Sequence, residues 1–187
     1  MANEIFIQSI LQKGKEAKEK VSNEFAAVSL EQLNWKPSPD AWSIAQCLEH
    51  LIVSDNSYFP ALQKIAGGTY QMNIWEKYSP LTGIWGWLFK DQLQEQVKKK
   101  IKAPKILKPS MSKVDNGIID RYHKNLDSFL NLISNCSNIN LGKTIITSPV
   151  TRIVTYNLKD VLTFLVQHEH RHINQAIRVK INSNFPR

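Results

Sequence analysis

Four long stretches of this chain repeat apolar residues at spacings of three and four, which is the period of an amphipathic α-helix. They cover residues 3–27, 43–66, 112–135 and 157–182. Charged side chains lie between the apolar ones, so that each helix would bury one face against the others. Four such helices without a strong strand pattern predict an all-α fold, a four-helix bundle.

The ends of the second helix and the connection after it indicate how the bundle is arranged. Ser43 followed by Gln46 is the pattern of a capping box, and Gly67-Gly68 is a helix-ending signal. The long connection 67–111 lets the second and third helices run parallel. This predicts an up-down-down-up order of the four helices.

The fourth helix contains the sequence HEHRH at 168–172, which matches the H-E-x-x-H signature of zinc proteases. At 100° per residue, His172 lies in the apolar stripe and His168 lies one turn earlier at its edge. His170 points about 160° away from both, towards solvent. Two imidazoles at positions i and i+4 can reach one metal ion. The alternative is that both histidines are buried and hydrogen-bonded for structural reasons.

A zinc protease of this signature needs a third protein ligand, which normally lies downstream. The fifteen residues after His172 contain no His, Asp or Glu, so a protease is not expected. A third ligand would have to come from upstream, where His50 and His123 remain. Small side chains flank His50 on its helix face and would leave room for an open metal site. His123 has the surroundings of a surface histidine.

Two segments together show a family resemblance. LNWKPSPDAWSIAQCLEHL at 33–51, taken with HEHRHINQA at 168–176, resembles the DinB-like (damage-inducible) superfamily of cytoplasmic bacterial four-helix bundles. The resemblance implies a metal site formed by His50, His168 and His172, holding zinc, nickel or a similar divalent ion. It also implies a homodimer that acts on a small molecule, as a hydrolase or as an S-transferase using a low-molecular-weight thiol.

Several polar side chains near these histidines have two interpretations. Glu169 faces the centre of the apolar stripe and is the candidate catalytic residue, as a general base. The alternative is a structural hydrogen bond to an inward Tyr or Trp, because a buried carboxylate must be paired or protonated. Asp55 raises the same question. We expect Cys47 to be a buried free thiol and Trp42 to be a packing residue at the helix entry.

Composition and charge limit the remaining classes of function. The length of 187 residues suits a single domain, residues 1–187. No apolar run reaches the ~18 residues of a membrane-spanning helix. The N-terminus lacks the pattern of a secretory signal, so we expect a cytoplasmic protein without membrane segments. Its two cysteines are too few for a disulfide framework.

Two further segments bear on partners. Residues 98–109 hold six of the lysines behind the net charge of +8, but they contain no aromatic or arginine side chain for reading bases. We therefore expect a mobile, non-helical linker there and do not expect nucleic acid as a partner. The aromatic stretch 69–90 is expected to pack as a cap on the bundle, or else to form a dimer contact or a lid. The alternative to an enzyme is a stress-related binding or scaffold protein with a structural or vestigial metal.

Overall fold

The computed structural model describes residues 2–80, 82, 104–109, 113–151 and 153–187. The helices and strands among them are α1 (Ala2–Phe25), α2 (Leu30–Asn34), α3 (Ile44–Ala66), α4 (Ile74–Tyr78), a 3₁₀ helix (Lys105–Leu107), α5 (Ile118–Ser134), β1 (Ile145–Thr147), β2 (Thr155–Asn157) and α6 (Leu158–Lys180). The long helices α1, α3, α5 and α6 correspond to the four predicted stretches. The fold is all-α apart from the short antiparallel pair of β1 and β2.

Contacts along α1 show the directions of two of its neighbours. The Lys18 ammonium donates to the Asp127 carboxylate of α5, and one turn later Ser22 contacts His123 of the same helix. The residue numbers of the contacts in α5 fall as those in α1 rise, so α1 and α5 are antiparallel. In the contacts between α1 and α6, Lys13 pairs with His170 and Lys20 pairs with Asn174, so the residue numbers of both helices rise together. Helices α1 and α6 are therefore parallel.

The remaining long helix, α3, packs on both α5 and α6. Asp55 contacts Asn125 of α5, and the ring of Phe59 stacks on that of Phe129 one turn further along both helices. Because both numbers rise together, α3 and α5 are parallel. The predicted up-down-down-up order of α1, α3, α5 and α6 is confirmed.

The apolar stripes of the four long helices meet in a common interior. Burial of a large aliphatic or aromatic side chain there stabilises the fold by roughly 1.5–3 kcal/mol relative to exposure. The fully or almost fully buried side chains include Ile7, Val21, Phe25, Leu48, Leu51, Leu62, Leu126, Phe129, Leu162 and Leu165. Among the described helices, none has the length and apolar character to cross a membrane.

The predicted start of α3 is confirmed by its cap. The Ser43 hydroxyl accepts from the Gln46 backbone N–H, and the Gln46 side chain accepts from the Ser43 backbone N–H. At the other end, Gly67 caps the helix and Gly68 follows with φ of +70°, a conformation that suits glycine. The second predicted helix therefore has the expected bounds.

The third predicted helix starts later than expected. It was placed from residue 112, but α5 begins at Ile118. The Asp115 carboxylate accepts from the Gly117 backbone N–H and from the Arg121 guanidinium, which holds residues 115–117 as a turn before the helix. Local side-chain bonds to the backbone therefore replace the first helical turn.

The lysine-rich segment also differs from its prediction. Residues 98–103 lie outside the described part of the chain, whereas residues 104–109 are described and contact α3. The 3₁₀ helix packs against α3, and Pro109 after it is buried. The prediction of a non-helical segment is therefore wrong for 105–107, which form a 3₁₀ helix bonded to His50 of α3, whereas the predicted mobility of the segment stays a prediction.

The aromatic stretch 69–90 is described only in part. It contains α4, which lies beside β1. Trp85, Trp87 and Phe89 lie outside the described residues. Its role as a cap, a dimer contact or a lid stays a prediction.

Candidate metal centre

Helices α3 and α6 bring His50, His168 and His172 together at the seam between them. One nitrogen of each ring lies within 4.8 Å of the others. The ring centroid of His172 is 4.5 Å from that of His50 and 4.5 Å from that of His168. The i, i+4 spacing places two rings on one face of α6. The antiparallel α3 supplies the third from across the seam.

The His50 ring has a defined tautomer. Its Nδ1 lies 2.6 Å from the carbonyl oxygen of Leu107 in the 3₁₀ helix. A carbonyl only accepts hydrogen bonds, so Nδ1 carries the proton and donates it. Nε2 then keeps its lone pair and faces the Nε2 of His168 at 3.2 Å. Histidines that bind metals commonly donate their second N–H to a carbonyl in this way.

The spacing of the nitrogens in the cluster fits a divalent metal ion. Two imidazole nitrogens bound tetrahedrally to one zinc would lie about 3.3 Å apart, given Zn–N bonds of about 2.0–2.1 Å. The Nδ1 atoms of His168 and His172 are buried and have no hydrogen-bond partner among the described residues. Buried polar atoms without a partner are costly and call for an explanation. The Nε2 of His168 is the nitrogen that faces His50, so an ion bound between the two rings would leave the Nδ1 of His168 unpaired. The 3.2 Å between the two Nε2 atoms matches the spacing of two zinc ligands, and imidazole nitrogens suit zinc and nickel alike.

Burial keeps the three imidazoles neutral. Removal from water lowers the pKa of His50, lowers that of His168 well below its usual range, and lowers that of His172 to about 3. The positive charge of Arg171 lowers the pKa of all three histidines further. A hydrogen bond with Gln175 partly opposes the lowering of the His172 pKa. Metal binding needs the deprotonated ring, so these lone pairs are available at neutral pH.

Two aromatic rings line the cluster. The Trp42 ring centroid is 4.8 Å from that of His50 and 5.7 Å from that of His172. The Phe164 ring stacks on His168 with centroids 5.6 Å apart. Trp42 was expected only to pack at the helix entry, and the structure places it directly against two of the histidines. In the sequence, the only sign of this contact is that Trp42 directly precedes Ser43, the N-cap of the helix that carries His50.

Glu169 lies in a buried polar cluster between α3, α5 and α6. Its Oε2 accepts a hydrogen bond of 2.6 Å from the Tyr122 hydroxyl. Nearby, Asp55 accepts from the Asn125 amide at 3.0 Å. Burial raises the pKa of Glu169 to about 7, and burial together with the Glu169 charge raises that of Asp55 well above its usual range. The contact is the structural hydrogen bond considered as the alternative, and catalysis by Glu169 stays a prediction.

Cys47 is a buried free thiol, as expected. Burial raises its pKa to about 12, so it stays protonated at physiological pH. Although it precedes His50 by one turn, it is not part of the histidine cluster. This raised pKa predicts that the Cys47 thiol reacts slowly.

The other two histidines take part in helix packing. His123 contacts the Ser22 hydroxyl at 3.3 Å, on the side of α5 that faces α1. His170 donates to the backbone carbonyl of Lys13 in α1 at 3.0 Å and is half-exposed. The prediction that His170 points away from the cluster is confirmed, and the residue is half-exposed at the surface.

An up-down-down-up helical bundle with three neutral imidazoles at one seam defines a class of proteins, the four-helix bundles with a candidate metal site. Compared with models of protein families, the chain matches the DinB superfamily over residues 15–176. It belongs to the DinB superfamily, and the matched range contains all three histidines of the cluster. Comparisons with curated proteins and with solved structures found no match.

Proposed function

We propose that this protein is a divalent-metal-dependent enzyme that transfers a low-molecular-weight thiol to a small electrophilic molecule. The observation that carries the proposal is the cluster of His50, His168 and His172, with the His50 tautomer fixed by the Leu107 carbonyl. Zinc and nickel are the ions we propose, because both accept imidazole ligands.

The residues of the site have distinct tasks in this proposal. The three histidines hold the ion, and three protein ligands leave at least one position open for a substrate. A divalent ion in such a site supplies a Lewis acid that lowers the pKa of a thiol or of water. Trp42 and Phe164 keep the rings in place and exclude water from one side of the cluster.

The surroundings of the cluster favour transfer of a thiol over hydrolysis. Hydrolysis benefits from a side chain that accepts a proton from water. Glu169 lies between His168 and His172 in sequence, and its carboxylate points at Tyr122 in the bundle interior. A thiol ionises far more readily than water and needs less help. In the transfer, a C–S bond forms, the leaving group departs with the electrons of its bond to carbon, and the S–H proton goes to solvent.

Metal analysis tests the site. We expect about one zinc or nickel ion per chain in the purified, metal-loaded protein, measured by mass spectrometry of the metal. His50→Ala and His172→Ala should each lose most of it, because two imidazoles bind far less tightly than three. His170→Ala is the matched control, since it removes a histidine of the same helix outside the cluster. If both cluster variants keep their metal, the proposed site is wrong.

Activity assays separate thiol transfer from its competitors. Glutathione and bacillithiol would be tested with 1-chloro-2,4-dinitrobenzene, and p-nitrophenyl acetate would be tested without a thiol. We expect metal-dependent thiol transfer that His172→Ala abolishes. Ester hydrolysis without a thiol would assign a hydrolase instead. Bound metal with neither activity would assign the non-catalytic binding or scaffold role.

The homodimer implied by the family resemblance is part of the same proposal. Light scattering of the metal-loaded protein tests it, and a mass near the 21.5 kDa of a single chain would contradict it.

A further inference from the structure

Two polar side chains on one face of α5 reach two different helices of the bundle. The Tyr122 hydroxyl donates to the Oε2 of Glu169 in α6 over 2.6 Å, and the Asn125 amide donates to the Oδ2 of Asp55 in α3 over 3.0 Å. The two donors are three residues apart, so they are neighbours on the surface of α5. We call these two hydrogen bonds the α5 ties. They connect α5 to both of the helices that carry the histidine cluster.

Each tie ends close to the histidines along its helix. Glu169 directly follows His168 and precedes His172 by three residues, so a rotation or shift of α6 at Glu169 moves both rings. Asp55 follows His50 on α3 after five residues, which is about 7.5 Å along the helix. Because backbone hydrogen bonds make a helix stiff over one or two turns, fixing the two carboxylates on α5 also fixes the rings relative to one another.

The ties cost more than apolar contacts at the same place would. Glu169 is 0% exposed and Asp55 is 1% exposed, and each has a second carboxyl oxygen without a hydrogen-bond partner in the described part of the chain. Apolar side chains of similar size would pack there without that cost. A buried polar pair specifies orientation instead, since a rotation or slide of one helix would leave a buried donor and a buried acceptor unpaired.

A metal site depends on such an orientation. The Nε2 atoms of His50 and His168 lie 3.2 Å apart although they come from different helices. Bonds from a metal to its ligands vary by only about 0.2 Å, so the separation of the two helices limits how well one ion is bound. The Leu107 carbonyl orients the His50 ring, whereas the ties act on the separation of α3 and α6.

We propose that Tyr122 and Asn125 are positioning residues for the histidine cluster. Their bonds hold α6 and α3 on α5 and thereby set the distance between His50 and the histidine pair of α6. The proposal deepens the proposed function and rests on it for the role of the cluster. Both residues act through the helices that they hold.

Tyr122→Phe and Tyr70→Phe form a matched pair of variants for the test. Each removes a hydroxyl that donates to a buried glutamate, Glu169 in α6 or Glu76 in α4, but only Tyr122→Phe releases a helix of the cluster. We expect Tyr122→Phe to weaken zinc binding about tenfold, measured by competition with a chromophoric chelator, and Tyr70→Phe to bind as wild type does. At saturating cobalt, the visible spectrum of Tyr122→Phe should differ from that of wild type, because the spectrum depends on ligand geometry. A loss of stability alone would leave that spectrum unchanged.

Three further variants separate geometry from charge. Asn125→Leu removes the tie to α3 and should weaken zinc binding as Tyr122→Phe does. Glu169→Gln and Asp55→Asn remove a carboxylate charge but keep an oxygen that can accept the bond, so both should keep the wild-type cobalt spectrum. Altered spectra in these two variants, with wild-type spectra in Tyr122→Phe and Asn125→Leu, would overturn the proposal in favour of an effect of charge.

The metal-free protein provides a readout that does not depend on the proposed function. The ring centroids of His50 and His168 are 5.0 Å apart, so their ring protons should show a nuclear Overhauser effect in wild type. This effect should weaken in Tyr122→Phe and Asn125→Leu and persist in Tyr70→Phe. If wild type binds no metal while this difference is seen, the proposed function fails and the positioning role stands. If both tie variants keep the effect, or if Tyr70→Phe loses it as well, the positioning role is wrong.

Discussion

The Nδ1 of His50 donates to the carbonyl oxygen of Leu107 over 2.6 Å, so a 3₁₀ turn 57 residues later in the chain sets the tautomer of a candidate metal ligand. The lone pair of Nε2 is thereby directed into the histidine cluster before any ion arrives. A ligand oriented in advance loses less conformational freedom on binding. The same contact joins the 3₁₀ helix to α3.

This contact predicts the ring state of His50 in solution. In the metal-free protein at neutral pH, two-bond ¹H–¹⁵N correlation spectra should show His50 neutral and protonated at Nδ1. Burial lowers the pKa of His50, so the neutral form should persist below the usual pKa of 6.5. A ring protonated at Nε2, or a doubly protonated ring at pH 7, would contradict the assignment. His50→Ala identifies the signal.

The buried carboxyl group of Asp55 predicts a specific dependence of stability on pH. Burial and the charge of Glu169 raise the Asp55 pKa well above 3.8. The folded state therefore binds a proton that the unfolded state releases, and the free energy of unfolding falls as pH rises above about 4. In Asp55→Asn, the free energy of unfolding should fall less as the pH rises. Urea unfolding of wild type and variant between pH 4 and 8 measures this difference.

The buried histidines contribute to both proteins alike, so the difference between the two pH curves reports Asp55 together with its interaction with Glu169. Asn at position 55 keeps an oxygen that can accept from Asn125 and carries no charge. An unchanged pH dependence in Asp55→Asn would show that the carboxylate is not held protonated by its surroundings.

Glu76 joins α4 to β1 and was not singled out in the sequence. Its buried carboxylate accepts hydrogen bonds from the Tyr70 hydroxyl, from the Asn73 backbone N–H, and from both the backbone N–H and the hydroxyl of Thr147. Glu76→Ala should lower the free energy of unfolding by about 2–3 kcal/mol, because it leaves buried donors without an acceptor. Urea unfolding measures the change. Glu19→Ala, at an exposed position, should change it by less than about 0.5 kcal/mol.

The two cysteines should be unreactive in the folded protein. Burial raises the pKa of Cys47 to about 12 and that of Cys136 to about 11, so the reactive thiolate is scarce at pH 8. We expect slow reaction with Ellman's reagent in native buffer and rapid reaction of two thiols in urea. A thiol that reacts rapidly in native buffer would be traced with Cys47→Ser and Cys136→Ser.

The sequence predicts the parts of this protein that depend on local patterns. Apolar spacing gave the four helices, the Ser43 and Gln46 pair gave a helix start, and the i, i+4 rule placed His168 beside His172. The family resemblance supplied His50, and the structure places it in the same cluster. Each of these features depends on residues close together in the sequence or on the family motif.

The parts that could not be predicted depend on contacts between distant segments without a pattern. The Leu107 carbonyl is a backbone atom, so no residue type at 107 signals its hydrogen bond to His50. Glu169 fits a catalytic base by its position in the stripe, and only the tertiary structure shows Tyr122 opposite it.

Trp42 provides an optical test of the site. Its ring lies against His50 and His172, with centroid distances of 4.8 and 5.7 Å, so a paramagnetic ion bound there would lie close to the indole. Nickel or cobalt should therefore quench part of the tryptophan fluorescence of wild type at one equivalent. Trp42→Phe should lose that part while it retains metal binding, because Phe supplies an aromatic wall without the indole emission.

The control for this experiment is Trp35→Phe. Trp35 packs edge-on against Phe185, with ring centroids 5.5 Å apart, and makes no ring contact with the histidine cluster in the described part of the chain. Its loss should lower the total emission and leave the quenched amount as in wild type. Equal quenching in Trp42→Phe and wild type would place the ion away from His50 and His172. Metal content measured on the same samples separates that outcome from a failure to bind.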